Sequence, residues 1–349
     1  MQHYRSLLSA DRRGGFIEIN GHKRRHLLPL AMLSLARIIP EPPPTVPPVP
    51  SWARQGSSAQ PVDDAMFFAG GALAAVHPIA RSEHPLVQLW RQRLALANAA
   101  VLARQGGRTE DEAALRDAWY LRRETDDPGP GGCILKAWRY LGEQAAMAPT
   151  DWMLTLSSLF ELRFNEALED VVTAAAKLAA GQRSAVAAAA EIAAISLRVV
   201  PDSEPLALWL ADIVLAHRLK WPMAVPLLAG QLRRAELRAA GKAGGPDETW
   251  ARTCALAYAR AAAAAVDLYA DLVRRAHRLL ASAPKLRAKD ADMMVAILLM
   301  EDAQAAGAGR TASDRSTRRL FERLVSLGAV RELTGRPPSD CMGSDILGG

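Results

Sequence analysis

No stretch of this chain alternates apolar and polar residues long enough to make a half-buried strand, whereas from Asp63 onward apolar residues recur three and four positions apart. Alanine fills many of those segments. It is the residue a helix accommodates at least cost, and its small faces allow close helix packing. The pattern predicts an all-α chain, a multi-helix orthogonal bundle without a sheet-rich domain. With 349 residues, 50% of them hydrophobic and 23% charged, the chain has globular composition and enough length to bury a large core.

Proline and glycine punctuate the helical pattern. Residues 1–62 read as an N-terminal extension. In it, Asn20-Gly21 suits a hairpin turn over residues 16–22, and Met32 or Met66 could each serve as an alternative start. The proline-rich run at 40–50 reads as a polyproline II spacer, with docking to an aromatic groove as the second reading. A helical domain is expected over residues 63–283. Asp63 or Asp64 would cap its first helix, Pro85 would open the next, and Thr109 with Glu112 would form a capping box. After the Pro/Gly break at 126–132, further helices are expected around Ile134 to Leu141 and over 151–180, 183–200, 205–219, 224–240 and 247–283. A distinct segment follows at 284–336, and an irregular tail at 337–349. One coding sequence for residues 338–345, read in another frame, encodes Phe-Arg-Leu-Tyr-Gly-Leu and a stop. The expectation is therefore a frameshifted end that has lost a strand.

Several functions are excluded or left without support. Cys133, Cys254 and Cys341 are far apart and lack metal-site spacing, which points to free thiols in a reducing compartment. No apolar run reaches the ~20 residues of a membrane span. The stretch from Leu27 to Ile39 is broken by Pro29 and Arg37 and starts too far from Met1 for a signal peptide. The expectation is a cytoplasmic protein without membrane contact. His77, His84, His217 and His277 have no metal-ligand spacing, and the chain carries no P-loop, GxGxxG or HExxH. No metal, cofactor or catalytic residue is assigned.

The charge is unevenly placed. The net charge is +6, and residues 274–336 hold thirteen Lys and Arg against seven Asp and Glu, so this segment contains the whole excess. A polyanion partner is expected there. Ser313 reads as an N-cap, and Leu320, Phe321, Leu324 and Leu327 form one apolar stripe. Arg315, Ser316, Arg318, Arg319 and Arg323 lie mostly off the stripe, and Gly328 sits where a helix-terminating glycine belongs. Residues 329–333 read as a short strand, and Thr334-Gly335-Arg336 as a turn with a basic tip. The segment resembles the recognition helix and first wing strand of a winged-helix DNA-binding domain. On this reading Arg315, Ser316, Arg318 and Arg319 face double-stranded DNA, and Arg331 and Arg336 reach phosphates. The competing reading is a basic amphipathic helix that only packs on the domain. The preceding loop, rich in Gly and Ala, also departs from a normal helix-turn-helix.

A second constellation precedes the Pro/Gly break. Arg108, Glu112 and Arg116 are spaced four apart, as a structural ion network on one helix face would be. Asp126 and Asp127 follow. Clustered carboxylates beside Arg could also bind metal or phosphate, but no nucleophile with an orienting partner accompanies them.

The segments His84-Pro85-Leu86, Leu89-Trp90-Arg91-Gln92-Arg93-Leu94, Gly107-Arg108-Thr109-Glu110-Asp111-Glu112, Asp127-Pro128-Gly129-Pro130 and Pro205-Leu206-Ala207-Leu208-Trp209-Leu210-Ala211-Asp212 carry a family resemblance. The chain resembles domain-of-unknown-function family fourteen-oh-three, an alphaproteobacterial family, over roughly residues 65–336. The resemblance implies a bacterial cytoplasmic protein and supplies no activity or site residue. Three readings stand open. They are a DNA-binding regulator, whose helical block serves dimerisation or partner binding, a helical interaction scaffold, and an enzyme using residues 108–127.

Overall fold

The computed structural model describes residues 42–54, 56, 59–122, 126–143, 152–163, 165–200, 202–242, 247–286, 291–304, 314–331 and 333. The expected hairpin at 16–22, Ser313, Arg336 and the tail at 337–349 lie outside them, as does the side chain of Arg315. The regular structure of the described residues is thirteen α-helices and two 3₁₀ turns, with no strand, so the chain is an all-α bundle.

Helices α1 (Ser51–Arg54) and α2 (Val62–Arg81) open the described chain. Asp63 and Asp64 do not cap α2 as expected. They sit in its first turn, where they complement the positive end of the helix dipole. Helix α3 (Leu86–Gln105) starts directly after Pro85. The cap of α4 (Glu112–Tyr120) is Asp111 rather than Thr109, because its carboxylate accepts the Ala114 N–H at 2.8 Å. Helix α5 (Gly129–Glu143) follows the Pro/Gly break.

The single helix expected over 151–180 is two, α6 (Trp152–Phe160) and α7 (Glu166–Ala180). Glu161 adopts a left-handed φ of 53°, and Asn165 restarts the helix by accepting the Leu168 N–H at 2.9 Å. Helices α8 (Ala185–Val199) and α9 (Glu204–Leu219) match expectation. The helix expected over 224–240 is instead an irregular segment, a 3₁₀ turn at Ala229–Gln231 and the short α10 (Arg234–Lys242). Pro222 and Pro226 lack the N–H donors a helix there needs. The 35-residue α11 (Glu248–Ser282) spans roughly 52 Å. Helices α12 (Ala291–Met300) and α13 (Asp314–Ser326) complete the set.

Small residues set how the layers meet. The longest contact runs between α11 and α2, followed by α8 with α9 and α3 with α5. On α2 the buried ridge is Ala65, Ala69, Ala72 and Val76, and on α11 it includes Ala255, Ala262 and Ala265. Bulk comes from tryptophan. Trp90, Trp138, Trp152 and Trp209 are fully buried. Three indoles also tie helices together through main-chain oxygens of alanine. Trp90 Nε1 donates to Ala265 O at 2.8 Å, Trp209 Nε1 to Ala137 O at 3.0 Å, and Trp250 Nε1 to Ala190 O at 2.8 Å. A helix carbonyl bare of a bulky side chain can accept a second donor besides its own i+4 N–H.

The proline-rich segment does not stand off as a spacer. Pro43 and Val49 are buried and Val46 is half-buried against the core. That core continues through Val295 and Leu299 of α12 to Leu320 and Leu324 of α13.

Candidate nucleic-acid interface and buried polar clusters

Helix α13 divides as its sequence predicts. Leu320 and Leu324 are buried and Phe321 half-buried, and Thr317 also turns inward. Ser316, Arg318, Arg319 and Arg323 are exposed, and so is Arg331 beyond the helix. No carboxylate pairs with Arg318, Arg319, Arg323 or Arg331 among the described residues. The helix ends in a two-bond reversal. Ala329 N–H reaches back to Leu324 O at 3.0 Å, and Gly328 N–H to Val325 O at 2.9 Å, with Gly328 at φ +65°. This reversal replaces the expected start of a wing strand. Ala329 and Val330 fold back onto the core instead of extending toward a strand partner. Gly328→Ala places a side chain in left-handed backbone and should cost about 1–2 kcal/mol. Faster amide exchange confined to α13 would register that loss.

The ion network expected at Arg108, Glu112 and Arg116 is arranged otherwise. Helix α4 begins only at Glu112, so Arg108 lies before it, out of helical register, and meets Glu110 at 3.5 Å. Glu112 is exposed and Arg116 is buried, with no ion pair between them among the described residues. Asp127 has a local task and accepts the Gly129 N–H at 2.9 Å. These groups do not converge on one point through any hydrogen bond among the described residues.

A different cluster joins α3, α4, α5 and the residues after α12. Buried Arg139 pairs with Glu143 at 3.2 Å and Glu301 at 3.4 Å, and donates to Tyr120 Oη at 3.1 Å. Burial opposes the charge on Arg139, but Tyr120, Glu143 and Glu301 outweigh it and raise its pKa. Tyr120 Oη donates to Glu301 at 3.3 Å, and burial pushes its pKa up to about 12. Gln92 bridges Glu143 and Glu301 at 3.4 and 3.3 Å and accepts the Asp302 N–H at 3.0 Å. Arg93 pairs with Asp302. The guanidiniums of Arg122 and Arg139 lie 5.2 and 5.0 Å from the Trp119 ring. Gln92 and Arg93 fall in a segment that carries the family resemblance, but Tyr120, Arg139, Glu143, Glu301 and Asp302 were not singled out from sequence. The signal was a lone Arg139 amid Trp138, Tyr140 and Leu141.

A second polar group sits in the core itself. Asp212 is fully buried on α9. It accepts the N–H groups of Leu227 and Leu228 at 2.8 and 3.3 Å and the Tyr258 hydroxyl at 3.1 Å. Burial raises its pKa to about 7 against the pull of those three donors. Nearby, Asn98 donates to Pro226 O at 3.2 Å and accepts the Gly230 N–H at 2.5 Å. Two side chains thus satisfy the irregular 220–232 segment from within. Another buried charge, Arg91, has no acid partner among the described residues and donates to Ala80 O at 2.7 Å. Burial lowers its pKa to about 10. It lies by the C-terminal ends of α2 and α5, whose partial negative charge suits a cation.

No group of His, Cys, Asp and Glu among the described residues has the arrangement of a metal site, and none of their helices is long and apolar enough to cross a membrane. A search of curated proteins and a search of solved structures each return no match. A family model does match, over residues 42–343, and that span takes in the proline-rich segment, every described helix and the basic face of α13. The chain belongs to the family described as Protein of unknown function (DUF1403).

Proposed function

We propose that this protein binds double-stranded DNA through the exposed face of α13 and acts as a regulator rather than an enzyme. The observation that carries the reading is the division of that helix. Ser316, Arg318, Arg319 and Arg323 face solvent, the three arginines without carboxylate partners among the described residues, while Leu320 and Leu324 anchor the helix in the core. A rigidly held row of guanidiniums suits phosphate and base-edge contact. Arg331 extends the row past the helix end, and Arg315 and Arg336 are assigned to it from sequence. Without a wing strand at 329–331, the contact rests on the helix itself.

The test is binding of mixed duplex DNA across a salt series. The affinity should fall steeply with salt, as counterion release requires. Replacing Arg318 and Arg319 together by Ala should weaken binding at least tenfold at low salt. It should also flatten the log–log salt slope by about 2, close to one unit for each phosphate left without its arginine. The melting temperature should not change, since both side chains are exposed. An unchanged slope and affinity in that variant would remove the assignment.

A further inference from the structure

The proline-rich segment is a built surface. Its burial recurs every third residue, at Pro43, Val46 and Val49, which is the period of a polyproline II helix. The inward ridge lies on the core. A second ridge, three residues apart again, is proline throughout: Pro44 is half-buried, and Pro47 and Pro50 are exposed. Its length from Pro44 to Pro50 is roughly 19 Å at the polyproline rise per residue.

Immediately beyond it stands an aromatic stack. Trp52 of α1 is 44% exposed and Phe67 of α2 is 65% exposed, and their rings stack 5.1 Å apart. Phe68 closes the group from the inner side, 6.1 Å from Phe67. The indole lies over Gly71, where a Cβ would come within 2.4 Å of its ring. The junction between ridge and stack is fixed by Arg54, which donates to Val49 O at 2.9 Å and grips Asp267 of α11 through bonds of 2.8 and 2.7 Å. Proline ridges dock on exposed aromatic rings, and a ridge already held in shape loses little entropy on doing so.

We propose that this edge is a self-association surface, in which the Pro44–Pro47–Pro50 ridge of one copy lies across the Trp52–Phe67 stack of a second copy and the reverse contact forms at the same time. The partner is a second copy rather than an unrelated protein for two reasons. Both halves of the recognition are exposed two residues apart, so one twofold axis can satisfy both together. The strip is also free of charge. From Pro42 to Ala53 there is no Asp, Glu, Lys or Arg, in a chain of which 23% is charged, and the next residue, Arg54, is neutralised by Asp267. A contact that sets a surface against its own image brings like charges together, so an uncharged strip is the electrostatic match for self-contact. The strip lies within the family-matched residues, whose match begins at residue 42.

Sedimentation equilibrium of the full chain tests this. The wild-type protein should be a dimer. Trp52→Ala with Phe67→Ala, and separately Pro47→Ala with Pro50→Ala, should each raise the dimer dissociation constant by about tenfold or more. Helical circular dichroism should be unchanged, because none of the four side chains belongs to the buried core that holds the helices. Mixing the two variants should restore association in part, since a mixed pair keeps one intact ridge-on-stack contact. A wild-type chain that stays monomeric at high concentration overturns the proposal, as does a dimer that neither variant weakens. A monomer with Trp52 shielded from solvent quenchers would place other residues of the same chain on the stack, and that also overturns it.

Discussion

Asp212→Ala should lower the free energy of unfolding by about 4 kcal/mol, through the two backbone donors it leaves without an acceptor in a dry core. Leu227 and Leu228 point their N–H groups at this carboxylate, and the site is fully buried, so bulk solvent cannot take its place. The Tyr258 hydroxyl loses its acceptor as well. Asp212→Asn is the informative contrast. The amide oxygen can accept both N–H groups, and its NH₂ can donate to the tyrosine oxygen. The two proteins should then differ by pH. The carboxyl titrates near 7 in the folded protein and near 3.9 when unfolded, so the folded state holds the proton more tightly. Stability from this group is complete below about pH 4, falls as pH rises, and is lost above about pH 7. Relative to the Asn variant, the wild type should weaken by up to about 4 kcal/mol between those limits. Urea midpoints of both proteins from pH 4 to pH 8 measure it. A pH-independent difference would mean that Asp212 is ionised throughout.

Trp209→Ala should cost about 3–5 kcal/mol for a different reason. The ring is fully buried between α9 and α5, with its centre 6.1 Å from the Phe160 ring centre in an edge-on pair. Its removal opens a cavity among residues already in contact. The Ala137 oxygen, however, keeps its own helical partner, so no acceptor is orphaned. Trp209→Phe should therefore recover most of the loss, whereas no apolar residue can recover Asp212. Chemical unfolding of the three proteins distinguishes the two mechanisms. Equal losses for Phe and Ala would show that the hydrogen bond outweighs the packing.

The helical architecture was legible because alanine-rich segments with three- and four-residue spacing have few alternatives to a helix. Gly328 at the end of α13 was legible for a local reason, since only glycine meets a left-handed turn there without strain. Elements were misread where a distant contact decided the outcome. Residues 224–233 have a helical composition. They stay irregular because Pro226 withholds a donor, and because Asp212 and Asn98, 15 and 132 residues away, supply the bonds a helix would have made for itself. The Arg139 cluster was not assembled from sequence because its members are up to 210 residues apart and its spacing exists only in three dimensions. Asp212 was visible in principle. It is the one charge in an otherwise apolar run from Leu206 to Ala216, and every residue of that run is buried. The exposed arginines of α13 were read correctly as a face, but Ala329 and Val330 suggested a strand by composition alone.

The alanine ridge where α2 meets α11 also limits how this chain can change over generations. A core of leucines and tryptophans can exchange volume between neighbours, so one residue can grow while another shrinks. A seam of alanines has nothing to give up. Any larger residue at Ala65, Ala69 or Ala72 must push two whole helices apart, and glycine there adds about 1 kcal/mol of helix cost without making useful room. Drift along this seam is blocked in both directions, and descendants of this chain should vary in its loops and faces long before they vary there.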